Sequence, residues 1–402
     1  MSNKVNLNLP MDKNNLFIDT DLLESKKEIL EKFIEDETNM KNLKFVRNIL
    51  PTNEVQSNNM IEGYFDDIEK IKFILNEEKK YKKVADASKF EFILGKEKKY
   101  KEVSDKDIKR ILNLASGYSF ILKNKSINEN NLKRLYNILS DGLLSEEDLK
   151  NMGDFYRNDD VYIFYSNDIT KEPDLGVSVD LIQEKMNCLF DFINNYSLGN
   201  TLTDEFIKSQ IIHFYFVYIH PYFDINGRTA RTTGLWHLLN KKAYPFVIFN
   251  RGIQMNKNKY YKIIRNVKNY NNVNIFLDYM MDNVLLELKK EHVIQSIKDN
   301  SGCKLTATDY QTLHYLLSIN SVCTALDFSN MYNRNNEKKK PLYLHEHMLV
   351  PLMDKKIIVP SRNTKRNISS ELSNYEISLN SKFIDDGKDL SGIKILKKES
   401  FD

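Results

Sequence analysis

The stretch Phe206 to Lys242, "FIKSQIIHFYFVYIHPYFDINGRTARTTGLWHLLNKK", decides how the whole chain is read. Ile211, Ile212, Phe214, Phe216, Val217 and Ile219 leave almost no polar face, which predicts a central, buried helix. Helical spacing resumes through Leu235, Trp236, Leu238 and Leu239. Between these two helices stands "HPYFDINGRTAR", His220 to Arg231, with a histidine, an acid, an Asn-Gly pair and two arginines. Pro221 removes a backbone donor and helps stop the first helix. Asn226-Gly227 supplies a tight turn that tolerates positive φ. Such a segment is either a working site or a polar connector, and its chemistry has to separate the two.

Outward from this stretch the chain reads as mostly α-helical. Gly and Pro are scarce, at 13 and 8, and strongly alternating strand patterns are few. "DLLESKKEILEKFIEDE" puts Leu22, Leu23, Ile29, Leu30 and Phe33 on roughly one face. "VSVDLIQEKMNCLFDFINNYS" reads the same way, with Leu181, Met186, Leu189 and Phe190 inward and Asp180, Glu184 and Lys185 outward. Bulk properties are those of a soluble globular protein of two or three domains, with 402 residues and 41% hydrophobic content. Lys+Arg 59 against Asp+Glu 56 leaves a net charge of +3, so any nucleic-acid or acidic partner has to be met by a local basic patch. Cys188, Cys303 and Cys323 are too few and too scattered for a disulfide framework or a zinc knuckle, which fits a reducing, cytoplasmic setting. Neither a signal peptide nor a membrane span is expected.

The polar cluster has a physical logic. A second helix beginning near Gly227 or Arg228 turns its free N–H groups and positive dipole end toward the loop, which makes an anion site. Arg228 and Arg231, three apart, lie on one face of its first turns and add two bidentate phosphate donors. Arginine is unfavourable at a helix start unless an anion is present, so two of them point to a polyphosphate. Asp224 is a hard oxygen ligand suited to the Mg²⁺ that accompanies a nucleotide. His220 can be neutral and accept a proton at cellular pH. The set suits phosphoryl or nucleotidyl transfer with His220 as general base, and from chemistry alone a structural turn stays open beside it.

The same residues resemble the Fic motif: His-Pro-Phe, one variable residue, Asp or Glu, a small residue, Asn-Gly-Arg and a second Arg three later. His220, Pro221, Asp224, Asn226, Gly227, Arg228 and Arg231 match. Tyr222 stands for Phe, and Ile225 stands where the family usually has Gly or Ala. The resemblance implies an all-α Fic-fold bundle with a short β-hairpin flap, and a protein nucleotidyltransferase, most often one moving AMP from ATP to a Ser, Thr or Tyr hydroxyl. It implies that His220 deprotonates that hydroxyl and that Asp224 binds Mg²⁺. Asn226, Gly227 and Arg228 would hold the phosphates, and Arg231 the γ-phosphate. "NNMIEGYF" resembles the family's inhibitory helix: Glu62 and Gly63 match, Asn58 replaces a Ser or Thr, and Glu62 would pair with Arg231. Tyr261 is the candidate wall of the adenine side.

Within "GDFYRNDDVYIFYSND" the run Val161 to Tyr165 is rich in β-propensity and predicts a short hairpin. The resemblance makes it the flap that docks the target by strand addition, with Tyr162, Ile163 and Phe164 at the contact. "FILNEEKKYKKV", Phe73 to Val84, recurs as "FILGKEKKYKEV", Phe92 to Val103, a local duplication read as solvated surface. From about residue 300 three short helix candidates, an apolar strand ending at Pro360 and a basic stretch outline a winged-helix-like module. "LHEHM" is read as helix surface; His213 and His237 are read as satisfied core histidines.

The expected organisation is an N-terminal helical region over 1–110 with the inhibitory helix near 54–66 and the duplication at 73–103. A catalytic core over 111–295, a winged-helix-like domain over 300–370 and a tail over 371–402 follow. The expected partners are ATP, a hydroxyl-bearing target protein and a second copy in a homodimer, with no membrane. Alternatives in the same sequence are removal of AMP, transfer of another nucleotide or phosphodiester group, and DNA-binding regulation through the C-terminal module.

Overall fold

The computed structural model describes residues 3–12, 14–35, 37, 40–81, 104–163, 173–319, 323–336, 338–360, 376–385 and 387–393. The chain divides into two compact units, Met1–Gly63 with Ile71–Val284, and Tyr64–Lys70 with Leu285–Asp402. Residues 1–63 thus belong to the same unit as the central helices. The first copy of the near-repeat starts on the Ile68–Tyr81 helix; the second, Phe92 to Val103, lies outside the described residues.

The core of the first unit is built on the central helix, Leu202–Ile219. Thr201 starts it with a capping box: its hydroxyl accepts from the Asp204 N–H, and the Asp204 carboxylate accepts from the Thr201 N–H. Every residue from Phe206 to Ile219 is buried. Each large apolar side chain removed from water there contributes about 1.5–3 kcal/mol before entropy is counted. The motif helix, Asn226–Asn240, packs along it. Gly234 allows the close approach, since a Cβ there would sit 3.0 Å from the Ser209 carbonyl oxygen. Trp236, fully buried, donates its indole N–H to the Asn124 carbonyl at 2.6 Å. Helices Asp105–Lys123 and Glu129–Ser140 complete the packing around the motif helix.

Several expectations are corrected. Residues Lys4–Pro10 and Asn15–Asp19 form an antiparallel hairpin where the N-terminal region was read as helical. The alternation is present in "KVNLNLP": Leu7 and Leu9 are fully buried while Lys4, Asn6 and Asn8 face out. In the helix Val179–Asn195, Leu181 is exposed and Lys185 is buried, the reverse of the expectation. The Lys185 ammonium donates to the Pro10 carbonyl at 2.8 Å, so the N-terminal hairpin turns a surface position into an interior one. Leu22 and Ile29 are exposed, whereas Leu23, Leu30 and Phe33 are buried as expected.

The second unit runs helix Ala307–Leu316, strand Cys323–Thr324, helix Ala325–Asn335, helical turns from Pro341 to Asp354, then strands Ile358–Pro360 and Glu376–Leu379. Its antiparallel sheet places Glu376–Leu379 between the other two strands. The first and third of these strands were not foreseen. His345 is buried rather than on the helix surface; His347 is exposed and stacks on Tyr343 at 4.0 Å. Among the described residues no helix is long and apolar enough to cross a membrane.

Candidate active site

His220 ends the central helix in the left-handed region, at φ 54° and ψ 58°, with its N–H still donating to the Phe216 carbonyl at 3.0 Å. Its Nδ1 lies 3.3 Å from the Val217 carbonyl oxygen, which can only accept. A neutral ring therefore carries its proton on Nδ1 and presents Nε2 as an acceptor. Burial of the imidazole, reinforced by Lys268 and Arg157 nearby, pushes its pKa down to about 4. His220 is thus neutral at cellular pH with its accepting nitrogen unprotonated.

The loop after it is fastened by its own residues. Tyr222, the stand-in for Phe, is buried and stacks on Tyr136 with ring centroids 3.5 Å apart. The Asn226 side chain accepts from the Tyr222 N–H at 3.0 Å and donates to the Tyr222 carbonyl at 2.7 Å. That amide is a staple for the loop, so what Asn226 can offer a phosphate is its backbone N–H in the first turn of the motif helix. Positive φ falls on His220 and on Ile225, at 65°, and not on Asn226-Gly227 as the sequence reading had it. A β-branched residue there carries a strain of about 1–3 kcal/mol. Ile225 is buried, and its carbonyl accepts from both the Thr229 N–H at 2.9 Å and the Thr229 hydroxyl at 2.8 Å, which hold the strained turn in place.

Gly227 is required for space instead. A Cβ on it would sit 2.6 Å from the Glu62 Oε1 and 3.1 Å from Arg231 Nη1. Arg231, almost fully buried, donates through Nη2 to Glu62 and through Nε to the Asn58 Oδ1 at 2.8 Å. Asn58 also donates to the Tyr118 hydroxyl at 3.0 Å, so the residue that departs from the Ser or Thr pattern is itself part of the grip on Arg231. Glu62 caps the helix Val55–Ile61, and Gly63 follows at φ 92°. Burial opposes the charge on Glu62, but Arg231, Arg228 and Lys257 outweigh it and hold the carboxyl below the usual carboxylate range. Burial likewise opposes the charge on Arg231, and Glu62 outweighs it and raises its pKa.

Tyr261 donates its hydroxyl to the Ile61 carbonyl at 3.3 Å, tying down the turn that carries Glu62. His213 and the Tyr260 hydroxyl lie 2.8 Å apart behind Arg231, and His237 meets the Glu205 carboxylate at 2.7 Å; both are satisfied interior histidines. Arg228 is buried at the start of the motif helix. Asp224 is exposed at the loop's outer edge. One accessible carboxylate fits Mg²⁺, which is held by one or two carboxylates plus substrate phosphates and water rather than by an all-protein cage. Among the described residues no group of three His, Cys, Asp or Glu forms such a cage.

The segment expected to be the flap pairs as two antiparallel strands, Tyr162 opposite Leu175 and Ile163 opposite Asp174. Tyr162 is 63% exposed while Ile163 is buried, so Ile163 has only its backbone to offer a docking strand; Phe164 lies outside the described residues. Sequence reasoning passed over Arg157, the residue that joins flap and loop. It is 2% exposed. Its Nε donates to the His220 carbonyl at 2.9 Å, Nη1 to the Asp159 carbonyl at 2.6 Å and Nη2 to the Val177 carbonyl. Its backbone N–H adds a bond to the Pro221 carbonyl at 2.9 Å. The available signal was an arginine inside a predicted hairpin flanked by Asp159 and Asp160, which reads as surface charge until the loop is folded against it.

Residues 126–238 match the family model described as the Fic/DOC family. The chain is similar to a Fic family protein from Desulfovibrio desulfuricans G20, with a TM-score of 0.52 and 17% identity over 90% of this chain and 95% of that one. It is also similar to a fragment of Fic-1 from C. elegans, with a TM-score of 0.49 and 14% identity over 70% of this chain and 74% of that one.

Proposed function

Because residues 126–238 form a domain of the Fic/DOC family, whose members transfer nucleotide or phosphodiester groups, we propose that this chain moves AMP from ATP to a Ser, Thr or Tyr hydroxyl of a protein target, its own chain included, and that Glu62 restrains it. The observation that carries this reading is the Glu62–Arg231 contact pressed against Gly227 at the start of the motif helix. A carboxylate there holds the guanidinium and the space that a terminal phosphate would use.

In the proposed step His220 Nε2 takes the proton of the target hydroxyl. The oxygen forms a bond to the α-phosphorus, and the bond from that phosphorus to the bridging oxygen breaks, releasing pyrophosphate. Backbone N–H groups of the motif helix, its positive end, Arg228 and Arg231 offset the charge of the phosphates. Mg²⁺, held by Asp224 together with phosphate oxygens, would supply further charge neutralisation. Arg157 keeps the His220 backbone in register with the flap, where Tyr162 and the strand edge would position the target.

The test uses ATP labelled on the α-phosphate. Glu62→Gly is expected to raise incorporation into the chain or a partner roughly 10- to 150-fold, the release of a charge-assisted pair of about 1.5–3 kcal/mol. Adding His220→Ala is expected to abolish it. Label that persists in the double variant sinks the assignment of His220. Label from UTP or CTP in place of ATP redirects it to another donor. Loss of AMP from a modified protein only when Glu62 is present reverses its direction.

A further inference from the structure

We infer that the second unit binds duplex DNA through the turn Lys338–Lys340 and the outer face of the helical segment that follows it. The function proposed for the first unit leaves this surface unused. Helix Ala307–Leu316, strand Cys323–Thr324, helix Ala325–Asn335, the Pro341–Asp354 helical turns and two closing strands follow the order of a winged helix, in which the second helix of the helix–turn–helix enters the major groove.

The segment from Pro341 to Asp354 has two distinct faces. Leu344, Met348, Leu349 and Leu352 are buried against the unit's core. Leu342 and Tyr343 are 49% and 44% exposed, and His347, also exposed, stacks on the Tyr343 ring. Leu342, Tyr343 and His347 thus leave apolar and aromatic surface available on the side of the segment away from the core. The turn before it is preformed: Asn333 donates to the Lys339 carbonyl at 2.9 Å and accepts from the Lys339 N–H at 2.8 Å. That brace holds Lys338 and Lys340, both exposed, at the mouth of the segment, with Arg334 and Lys356 exposed nearby in sequence. Glu346 and Asp354 are the exposed acids of the segment.

Charge complementarity names the partner. Among the described residues from 334 to 360, Arg334, Lys338, Lys339, Lys340, Lys355 and Lys356 stand against Glu346 and Asp354, with Lys355 paired to Asp309 and Arg334, Lys338, Lys340 and Lys356 exposed. On a chain whose net charge is only +3, a local excess of positive charge beside an exposed Leu-Tyr-His face fits a phosphate backbone flanking base edges and thymine methyls better than an acidic peptide, which offers no regular charge spacing.

The experiment is fluorescence anisotropy of a labelled 25-base-pair duplex of mixed sequence with the full chain. Binding is expected at ~50 mM salt, weakening roughly 100-fold by ~200 mM as about four phosphate contacts are lost to counterions. Lys338→Glu with Lys340→Glu is expected to weaken binding at least about 10-fold, and Tyr343→Ala about 5-fold, from loss of phosphate and groove contacts. AMP incorporation by the same variants on a Glu62→Gly background is expected to stay unchanged, so a failure here is separable from a failure of the transferase reading. No binding at ~50 mM salt, equal binding by the variants, or tighter binding of single-stranded RNA than of the duplex overturns the inference.

Discussion

Each unit of the molecule contains a carboxylate held by a buried cation, and the two are built differently. In the second unit Glu287 meets Lys290 at 2.6 Å and His314 at 2.6 Å, and the Glu287 and Lys290 side chains are 1% and 2% exposed. Both carboxylate oxygens are in use and no solvent reaches them. In the first unit Arg231 is 1% exposed but the Glu62 side chain is 27% exposed, and Arg231 keeps a second partner in Asn58. The closed pair has no route by which one anion replaces another. The half-open pair has one, because Glu62 sits on a short helix tip held by Tyr261 and Asn58, and withdrawal leaves the guanidinium facing the start of a helix. Exposure of one partner, more than the strength of the contact, separates an exchangeable ion pair from a structural one.

Stability is the sharpest way to break this comparison. Glu287→Ala leaves buried cations without their anion and is expected to cost about 3–5 kcal/mol, read as a lower urea midpoint. Glu62→Gly is expected to lower the midpoint far less, since the lost carboxylate is partly hydrated and Asn58 still bonds Arg231. Equal losses in the two variants would erase the distinction.

Arg157 extends the comparison to a buried cation whose bonds go to the carbonyls of His220, Asp159 and Val177, which no incoming anion can replace. Arg157→Lys lacks the planar fork needed to reach all three. On the Glu62→Gly background it is expected to lower kcat up to about 100-fold through displacement of His220, with KM for ATP little changed. A change confined to KM would make Arg157 a nucleotide contact instead.

The smallest expected effect concerns pH. The Glu62 carboxyl is held below the usual range, so the stability and restraint it contributes are present above about pH 4.3 and are lost only as pH falls through its lowered folded value. His220, lowered to about 4, stays neutral over the same interval. Because the unfolded chain takes up the histidine proton near pH 6.5 and the folded chain near 4, His220 makes stability fall as pH drops between these values. The ratio of Glu62→Gly to wild-type transfer is therefore expected to stay constant within about twofold from pH 8 to pH 5. A ratio that collapses near pH 6 would show that the clasp opens on protonation of another group.

How much was legible follows from how each residue does its work. The buried central helix and the helix start with its arginines were readable from local spacing and residue type, and the pairing partner Glu62 from the resemblance of "NNMIEGYF" to an inhibitory helix. Three features were not. The N-terminal strand pair was missed because "KVNLNLP" alternates for only a few residues and the hairpin is held from outside, by Lys185 and Tyr215 on the Pro10 carbonyl. Arg157 was missed because its partners are backbone carbonyls, which no residue type advertises. The division of labour between Asn226 and Gly227 was misread for the same reason: one staples the loop and the other makes room, and only the fold tells them apart.

By itself the sequence determined that a mostly helical chain carries a neutral-capable histidine, a carboxylate and two arginines at a helix junction. Periodicity and side-chain chemistry suffice for that. Only the tertiary structure decided that the positive φ falls on His220 and Ile225, that Asn58 shares Arg231 with Glu62, and that Arg157 binds flap to loop. These depend on distances of a few ångströms between segments far apart in the chain, and no local pattern records them.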